Sequence, residues 1–226
     1  NIIVSGIDSL RGDDLDARVR ISDEREADLF LSLHHNSNFP LDRNYNATET
    51  YYKMEDFFTS FDAARVIHRH LAKQIGAPLN FLRPGNYYVL RNNTRTAVLG
   101  EASYLSNPAI ESRLKKDEKA DLEARSYFLG ILDYFSRGVP RIGGIKPPLD
   151  SVLTEALPTF DITVIPDRFG SGIDPGTVIV GIDGEEILSF YTDESIHATP
   201  NRPLRSGYHT ITVNVANRNG NHSMLY

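Results

Sequence analysis

Residues 97–107, AVLGEASYLSN, decide the fold that we expect for this chain. The run AVLG predicts a short buried strand that ends directly at an acidic residue, Glu101. A second segment, residues 29–36 (LFLSLHHN), has the same form and reaches an imidazole at His34. Open α/β sheets place their functional sites at the carboxyl ends of strands. We therefore expect His34 and Glu101 to lie at one edge of an α/β sheet.

Strand-like and helix-like segments alternate up to about Pro140, which predicts a sheet with helices on both faces. Further strands are expected at 47–53 (ATETYYK), 87–91 and 97–100, and helices at 60–75, 108–115 and 119–137. Gly76 stops the first helix and Asn107 caps the second. The last helix should pack on the sheet through one apolar face, formed by Leu122, Phe128, Leu129, Leu132 and Phe135.

Residues 138–148 (GVPRIGGIKPP) concentrate glycine and proline, which is typical of an interdomain linker. We predict a catalytic domain over 1–139, a linker over 140–148 and a second domain over 149–226. The second region has short alternating runs separated by the turn sequences DPG, DG, NRP and NGN. This pattern predicts an immunoglobulin-like β-sandwich.

Composition restricts the class of protein. The 226 residues include 40% hydrophobic and 24% charged residues, with a net charge of −6, as in ordinary globular domains. Neither region is basic enough to indicate a nucleic-acid partner. No apolar run approaches the ~18 residues needed for a membrane span. Cysteine is absent, which excludes disulfides and thiolate chemistry. The oligomeric state is left open.

His34 and Glu101 each have a structural and a functional interpretation. His34 is either a hydrogen-bonded loop histidine or a metal ligand held by rigid backbone. The side chain of its neighbour His35 should point to the opposite face of the sheet, so we expect only one histidine of the pair to bind a metal ion. Glu101 is either a paired structural carboxylate or a partly desolvated acid whose raised pKa suits it to proton transfer.

Four segments in order, ADLFLSLHHN, ATETYY, YVLR and AVLGEASYLSN, resemble the zinc-dependent N-acetylmuramoyl-L-alanine amidases of bacterial cell-wall turnover, the amidase_3 family. The resemblance covers roughly residues 18–137. It implies that His34 is a Zn²⁺ ligand and that Glu101 is the catalytic acid and base. The bond cut would join muramic acid to L-alanine in peptidoglycan, outside the cytoplasm.

Asn36 lies within the matched motifs, and it is either a substrate-binding residue or a structural one. A polymer fits a shallow groove better than a deep pocket, so Tyr51, Tyr52 or Tyr104, if exposed, would line such a groove and contact the substrate. The alternative for these tyrosines is packing in the core. Glu49 and Asn107 also lie within the matched motifs. For these two residues we favour structural roles, as support for the sheet and as a helix cap.

The resemblance is incomplete at its N-terminal end. In the family, a first zinc-binding histidine in a DPGHGG-like segment and a ligating glutamate precede the segment that matches His34, and neither is visible in this sequence. We expect an N-terminal truncation, because the apolar run at Asn1 looks like the interior of a strand. The alternative is a non-catalytic cell-wall binding or regulatory module with a degenerate amidase fold. A third possibility is a surface adhesion protein that binds through its β-domain.

Overall fold

A computed structural model of the chain describes residues 13–38 and 42–226. The chain divides into two compact units, Asn1–Tyr134 and Phe135–Tyr226. The apolar run at Asn1, on which the expected truncation is based, lies outside the described residues. No helix in the described part is long and apolar enough to cross a membrane.

Within the described ranges, the first unit is built on a mixed four-stranded sheet in the order β1-β4-β2-β3. These strands are β1 (Phe30–Asn36), β2 (Ala47–Lys53), β3 (Leu79–Gly85) and β4 (Ala97–Tyr104). β1 runs parallel to β4 and β2 parallel to β3, whereas β2 and β4 are antiparallel. Every residue of β4 is buried, which explains why this strand is rich in small and apolar side chains.

The described residues form five helices beside the sheet: α1 (Asp13–Glu24), α2 (Thr59–Ile75), α3 (Tyr88–Arg91), α4 (Pro108–Leu114) and α5 (Asp117–Ser136). The predictions for α2, α4 and α5 are confirmed to within two residues. α2 ends at Gly76, whose φ of 63° lies in the left-handed region that glycine adopts without strain. The side chain of Asn107 caps α4 by accepting hydrogen bonds from two backbone amides of its first turn.

The helices cover both faces of the sheet. We call the face that carries His34 and Glu101 the front face, and the opposite one the back face. On the back face, His68 of α2 lies 3.0 Å from the Thr50 hydroxyl of β2. Toward the start of β4, the front face is covered by α1 and α3, where Val19 belongs to one apolar cluster with Leu99. The candidate site lies toward the other end of the front face.

A bulge in β4 brings its polar residues to the front face. The register runs from His34 opposite Glu101 to Asn36 opposite Tyr104, so β4 has one residue more than β1 over this interval. Glu101 and Tyr104 therefore lie on the same face although they are three positions apart. Ser103 turns to the back face instead.

One predicted strand is wrong and one strand was not predicted. Residues 87–91 do not form a strand; they contain the short helix α3. β3 was not predicted because its sequence, LNFLRPG, contains Pro84, which argues against an interior strand. β3 lies at the edge of the sheet, where a missing N–H group is tolerated.

The predicted packing face of α5 is also wrong. Phe128 and Leu132 are 61% and 54% exposed. The buried face carries Glu123, Tyr127 and Gly130 instead. A count of apolar residues could not find this face, because Glu123 is buried through its hydrogen bonds and Gly130 through the closeness of a neighbouring helix.

The second unit begins earlier than predicted. The residues expected to form a linker, 140–148, contain strand β5 (Arg141–Lys146), which pairs with β6 (Phe160–Ile165). The glycines that indicated a linker belong to this strand, at a register shift between Ile142 and Gly144. This part of the domain prediction is therefore corrected.

The second unit contains two antiparallel sheets, in the orders β5-β6-β10-β9 and β11-β7-β8. The remaining strands are β7 (Ile179–Ile182), β8 (Glu185–Glu186), β9 (Leu188–Thr192), β10 (Ser195–Thr199) and β11 (Ile211–Asn214). One apolar cluster includes residues from both sheets, among them Ile162, Ile196 and Val213. The predicted turn at Asp183 and Gly184 has positive φ at both residues, as a two-residue hairpin requires. The immunoglobulin-like classification stays a prediction.

Candidate active site

One row of side chains crosses the front face from strand to strand. In the register of the sheet, His34 of β1 is the partner of Glu101 of β4, and Glu101 is the partner of Glu49 of β2. Glu49 is in turn the partner of Phe81 of β3. Adjacent strands lie about 4.8 Å apart, so the row places an imidazole, two carboxylates and an aromatic ring side by side.

Glu101 is a buried acid with an unused oxygen. The residue is 8% exposed, and its Oε2 atom has no hydrogen-bond partner among the described residues. Burial raises the pKa of Glu101 to about 7, and the negative charge of Glu49 adds to this effect. A carboxyl group with this pKa can both accept and release a proton near neutral pH.

Glu49 has the opposite environment. Its Oε2 atom accepts hydrogen bonds from Asn36 Nδ2 at 2.9 Å, the Tyr51 hydroxyl at 2.8 Å and the Tyr104 hydroxyl at 3.1 Å. Burial and the bond to Glu49 raise the pKa of the Tyr51 hydroxyl, so that this phenol remains a donor. The two adjacent carboxyl groups thus differ in their hydrogen bonds: Glu49 accepts three, whereas Oε2 of Glu101 accepts none from the described residues.

His34 is held in its neutral form. Burial is the main cause that lowers its pKa, followed by the charge of Arg18. The Nε2 atom lies 2.7 Å from the Ser32 hydroxyl, two residues earlier on the same side of β1. A neutral imidazole is the form that binds a metal ion.

His35 faces the back of the sheet, as the pleat predicted. Its Nε2 atom lies 2.6 Å from Glu123 Oε2 of α5. The other oxygen of Glu123 accepts from Ser103 Oγ at 3.0 Å and from Lys119 Nζ at 2.8 Å. Burial alone would raise the pKa of Glu123, but the bonds from His35 and Lys119 outweigh it and lower the pKa. Through these hydrogen bonds, Glu123 links α5 to β1 and β4.

The structure brings the predicted site residues together around Glu49. Asn36, Tyr51 and Tyr104 all donate to its carboxylate, so they form a hydrogen-bonded cluster beside Glu101. Tyr104 is only 7% exposed, and Tyr52 is equally buried, so neither is an exposed groove residue. The sequence named Glu49 only as a support for the sheet, and its place next to Glu101 could not be read without the register.

Two further front-face residues were missed, Phe81 and Arg83. Both belong to β3, the strand that was not predicted. The Arg83 guanidinium carbon lies 3.9 Å from the centre of the Phe81 ring. The signal that could have found them is alternation, since positions 79, 81 and 83 point to one side of a strand.

The described residues fit a zinc ion only in part. His34 offers a neutral imidazole, and the unpartnered oxygen of Glu101 is a buried acceptor next to it. However, no group of three or more His, Asp and Glu side chains within the described ranges could hold a metal ion. A structural zinc site takes four protein ligands and a catalytic one takes three. The described residues therefore do not complete a zinc site.

Comparison with known proteins agrees with this α/β unit. The family model for N-acetylmuramoyl-L-alanine amidases matches residues 4–133. Because this match covers more than half of the chain, the protein belongs to the N-acetylmuramoyl-L-alanine amidase family.

Two relatives illustrate the similarity. An uncharacterized cell wall amidase of Bacillus anthracis is 30% identical over 130 residues, which are 54% of this chain and 24% of the relative. The germination-specific N-acetylmuramoyl-L-alanine amidase of Bacillus subtilis strain 168 is 29% identical over 132 residues, 58% of this chain and 54% of the relative. The chain thus spans between a quarter and about half of the length of these relatives.

The fold of the first unit is amidase-like. The catalytic domain of CwlV, an N-acetylmuramoyl-L-alanine amidase from Bacillus (Paenibacillus) polymyxa var. colistinus, is 34% identical with a TM-score of 0.50. The similarity covers 54% of this chain and 65% of the CwlV domain. The predicted α/β class, a sheet with packed helices, is confirmed.

Proposed function

We propose that this protein hydrolyses the amide bond between N-acetylmuramic acid and L-alanine in peptidoglycan. The observation that carries the proposal is Glu101, a buried acid with a pKa of about 7 and an unpartnered oxygen next to His34. Family membership supports the same reaction class. The names of the relatives, a cell wall amidase and a germination-specific amidase, support peptidoglycan as the substrate.

In this mechanism Glu101 transfers the proton twice. As a carboxylate it accepts a proton from the water that attacks the lactyl carbonyl carbon, and a tetrahedral intermediate forms. The protonated acid then donates to the nitrogen of L-alanine as the C–N bond breaks. The products are the lactyl carboxylic acid and a stem peptide with a free amino group. Glu49 remains hydrogen-bonded throughout, and its charge adds to the burial that raises the pKa of Glu101.

The proposal includes zinc, with His34 as one ligand. The other ligands would come from outside the described residues, because these do not complete the set. When bound, a zinc ion supplies Lewis acidity and lowers the pKa of a coordinated water toward ~7.

We also propose an extracytoplasmic location, since the polymer lies outside the cytoplasm. The second unit would be an immunoglobulin-like accessory domain.

The decisive experiment is digestion of purified peptidoglycan by the purified intact gene product in the presence of Zn²⁺. Mass spectrometry should detect stem peptides that begin with a free L-alanine, together with glycan that retains lactyl carboxyl groups. Binding to the polymer without release of either product would favour the non-catalytic cell-wall module and would refute the enzyme.

A further inference from the structure

Arg83 lies at the outer end of the front face, on the edge strand β3. Its side chain is 46% exposed, in contrast to the buried carboxylates of the neighbouring strands. In the register it is the partner of Tyr51, one pleat away from the row that contains Glu101. A cation at this position has access both to solvent and to the candidate site.

The contacts of Arg83 leave its donors largely unused. Its Nη2 atom lies 3.7 Å from Glu49 Oε1, well beyond the 2.7–2.9 Å of a charge-assisted hydrogen bond. Glu49 already accepts three hydrogen bonds on its other oxygen. The guanidinium makes no hydrogen bond to another described residue, so its planar fork can take a bidentate carboxylate.

Phe81 holds this fork in place. The guanidinium carbon is 3.9 Å from the ring centroid, which is within the range of a cation–π contact. Stacking on the ring restricts the rotamers of a long side chain while its N–H edges stay free. The arrangement is preorganised for a planar anion, so less entropy is lost when one binds.

We propose that Arg83 binds a free carboxylate of the peptidoglycan stem peptide, on the second residue beyond the bond that is cut. The inference rests on the proposed amidase function. β3 lies two strands from β4, roughly 10 Å at ~4.8 Å per strand. An extended peptide covers this distance in about two to three residues, at roughly 3.3–3.6 Å each.

Charge gives a reason for a cation at this place. Glu49 and Glu101 present two carboxyl groups to a substrate whose stem peptide is itself acidic. Arg83 offsets their repulsion at the position that the acidic stem residue reaches. The site should therefore select against stem peptides in which this carboxyl is amidated, because they lack the charge that the Arg83 guanidinium recognises.

The test compares two muramoyl tripeptides, N-acetylmuramoyl-L-Ala-D-Glu-L-Lys and its analogue with the α-carboxyl of D-Glu amidated. Calorimetric dissociation constants are measured in the Glu101→Gln background, which suppresses turnover. The acid form should bind on the order of tenfold more tightly, the effect of one charge-assisted hydrogen-bonded pair at a partly exposed site. Adding Arg83→Gln should abolish the preference, and Arg83→Lys should retain part of it.

The matched control is Arg65→Gln. Arg65 is 43% exposed and lies 3.6 Å from the buried carboxylate of Asp62, almost the same environment as Arg83 beside Glu49. It belongs to α2, which packs on the back face. The control should retain the tenfold preference, and thermal unfolding should show that both variants fold. The role of Arg83 is overturned if the Arg83→Gln variant keeps the preference for the acid form. It is also overturned if the Glu101→Gln parent shows no preference for that form.

Turnover by the unmodified protein separates the two proposals. If it cleaves the acid and amide forms with equal KM and kcat, the amidase function stands and the role of Arg83 is refuted. If binding depends on Arg83 but no bond between muramic acid and L-alanine is cut, the carboxylate site stands and the amidase function is refuted. Failure to bind either peptide refutes both.

Discussion

Glu49 and Glu101 are direct partners in the antiparallel register of β2 and β4, and both are almost fully buried. Two carboxylates at this separation cannot both be charged without a large cost, unless one of them is stabilised. The hydrogen bonds from Asn36, Tyr51 and Tyr104 stabilise Glu49. Glu101 is left as the proton carrier, which is the division of roles that paired catalytic carboxyls adopt.

Replacing Glu101 by Gln should remove most of the hydrolytic activity. The amide keeps the shape of the side chain but cannot accept and return a proton, so we expect the rate to fall about 10²- to 10⁴-fold. Release of stem peptides from peptidoglycan measures this rate. The control is Glu111→Gln, a half-exposed glutamate of α4, which should retain full activity. Equal rates for both variants would contradict the assignment.

The rate should fall on the acidic side of about pH 7, where Glu101 becomes protonated before the reaction starts. Glu49→Gln removes the neighbouring charge that helps to raise the pKa of Glu101. The midpoint of the acid limb should therefore move to lower pH. A profile of kcat/KM against pH for both proteins tests this, and an unshifted midpoint would rule out coupling between the two carboxyls.

Stability should depend on pH through the same group. The pKa of Glu101 is about 7 in the folded protein, against 4.5 as the ordinary value. Between these values the folded state holds the proton more strongly than the unfolded state, so the free energy of unfolding decreases as pH rises. Urea midpoints at pH 5 and pH 8 should differ less for Glu101→Gln than for the unmodified protein. If the two urea midpoints differ more for Glu101→Gln than for the unmodified protein, Glu101 is ionised in the folded state.

His34 and His35 are adjacent in sequence but should have different mutant phenotypes. His34→Ala should weaken Zn²⁺ binding by roughly tenfold or more, with little effect on folding. His35→Ala removes one donor from Glu123 and should cost about 1–2 kcal/mol of unfolding free energy. Zinc titration and urea unfolding of both variants measure the two effects. If His34→Ala destabilises the fold and His35→Ala weakens zinc binding, the faces assigned to the two histidines are wrong.

Gly130→Ala should destabilise the protein, although alanine normally favours a helix. A Cβ atom at Gly130 would lie 2.7 Å from the backbone Cα of Ile67 in α2, where neither helix can yield easily. The expected cost is about 1–3 kcal/mol from overpacking, larger than the ~1 kcal/mol gain in helix propensity. Ala124→Gly at an exposed position of α5 gives the propensity effect alone. Stabilisation by Gly130→Ala would mean that the two helices are not in close contact.

The sequence by itself determined the elements that carry a local signal. The first half of the buried strand β4, the glycine stop of α2 and the asparagine cap of α4 each depend on a few neighbouring residues, and each was predicted. The prediction that this strand ends at Glu101 is wrong, because β4 continues to Tyr104. His34 and Glu101 were found because each interrupts an apolar run, and a polar residue in such a place needs a reason.

Only the tertiary structure decided which side chains meet. The register and the bulge in β4 place Glu49, Glu101 and Tyr104 on one face, and a shift of one residue would have separated them. The buried face of α5 depends on bonds to Glu123 and on close contact at Gly130. These relationships join residues that are distant in the chain, so no local pattern encodes them.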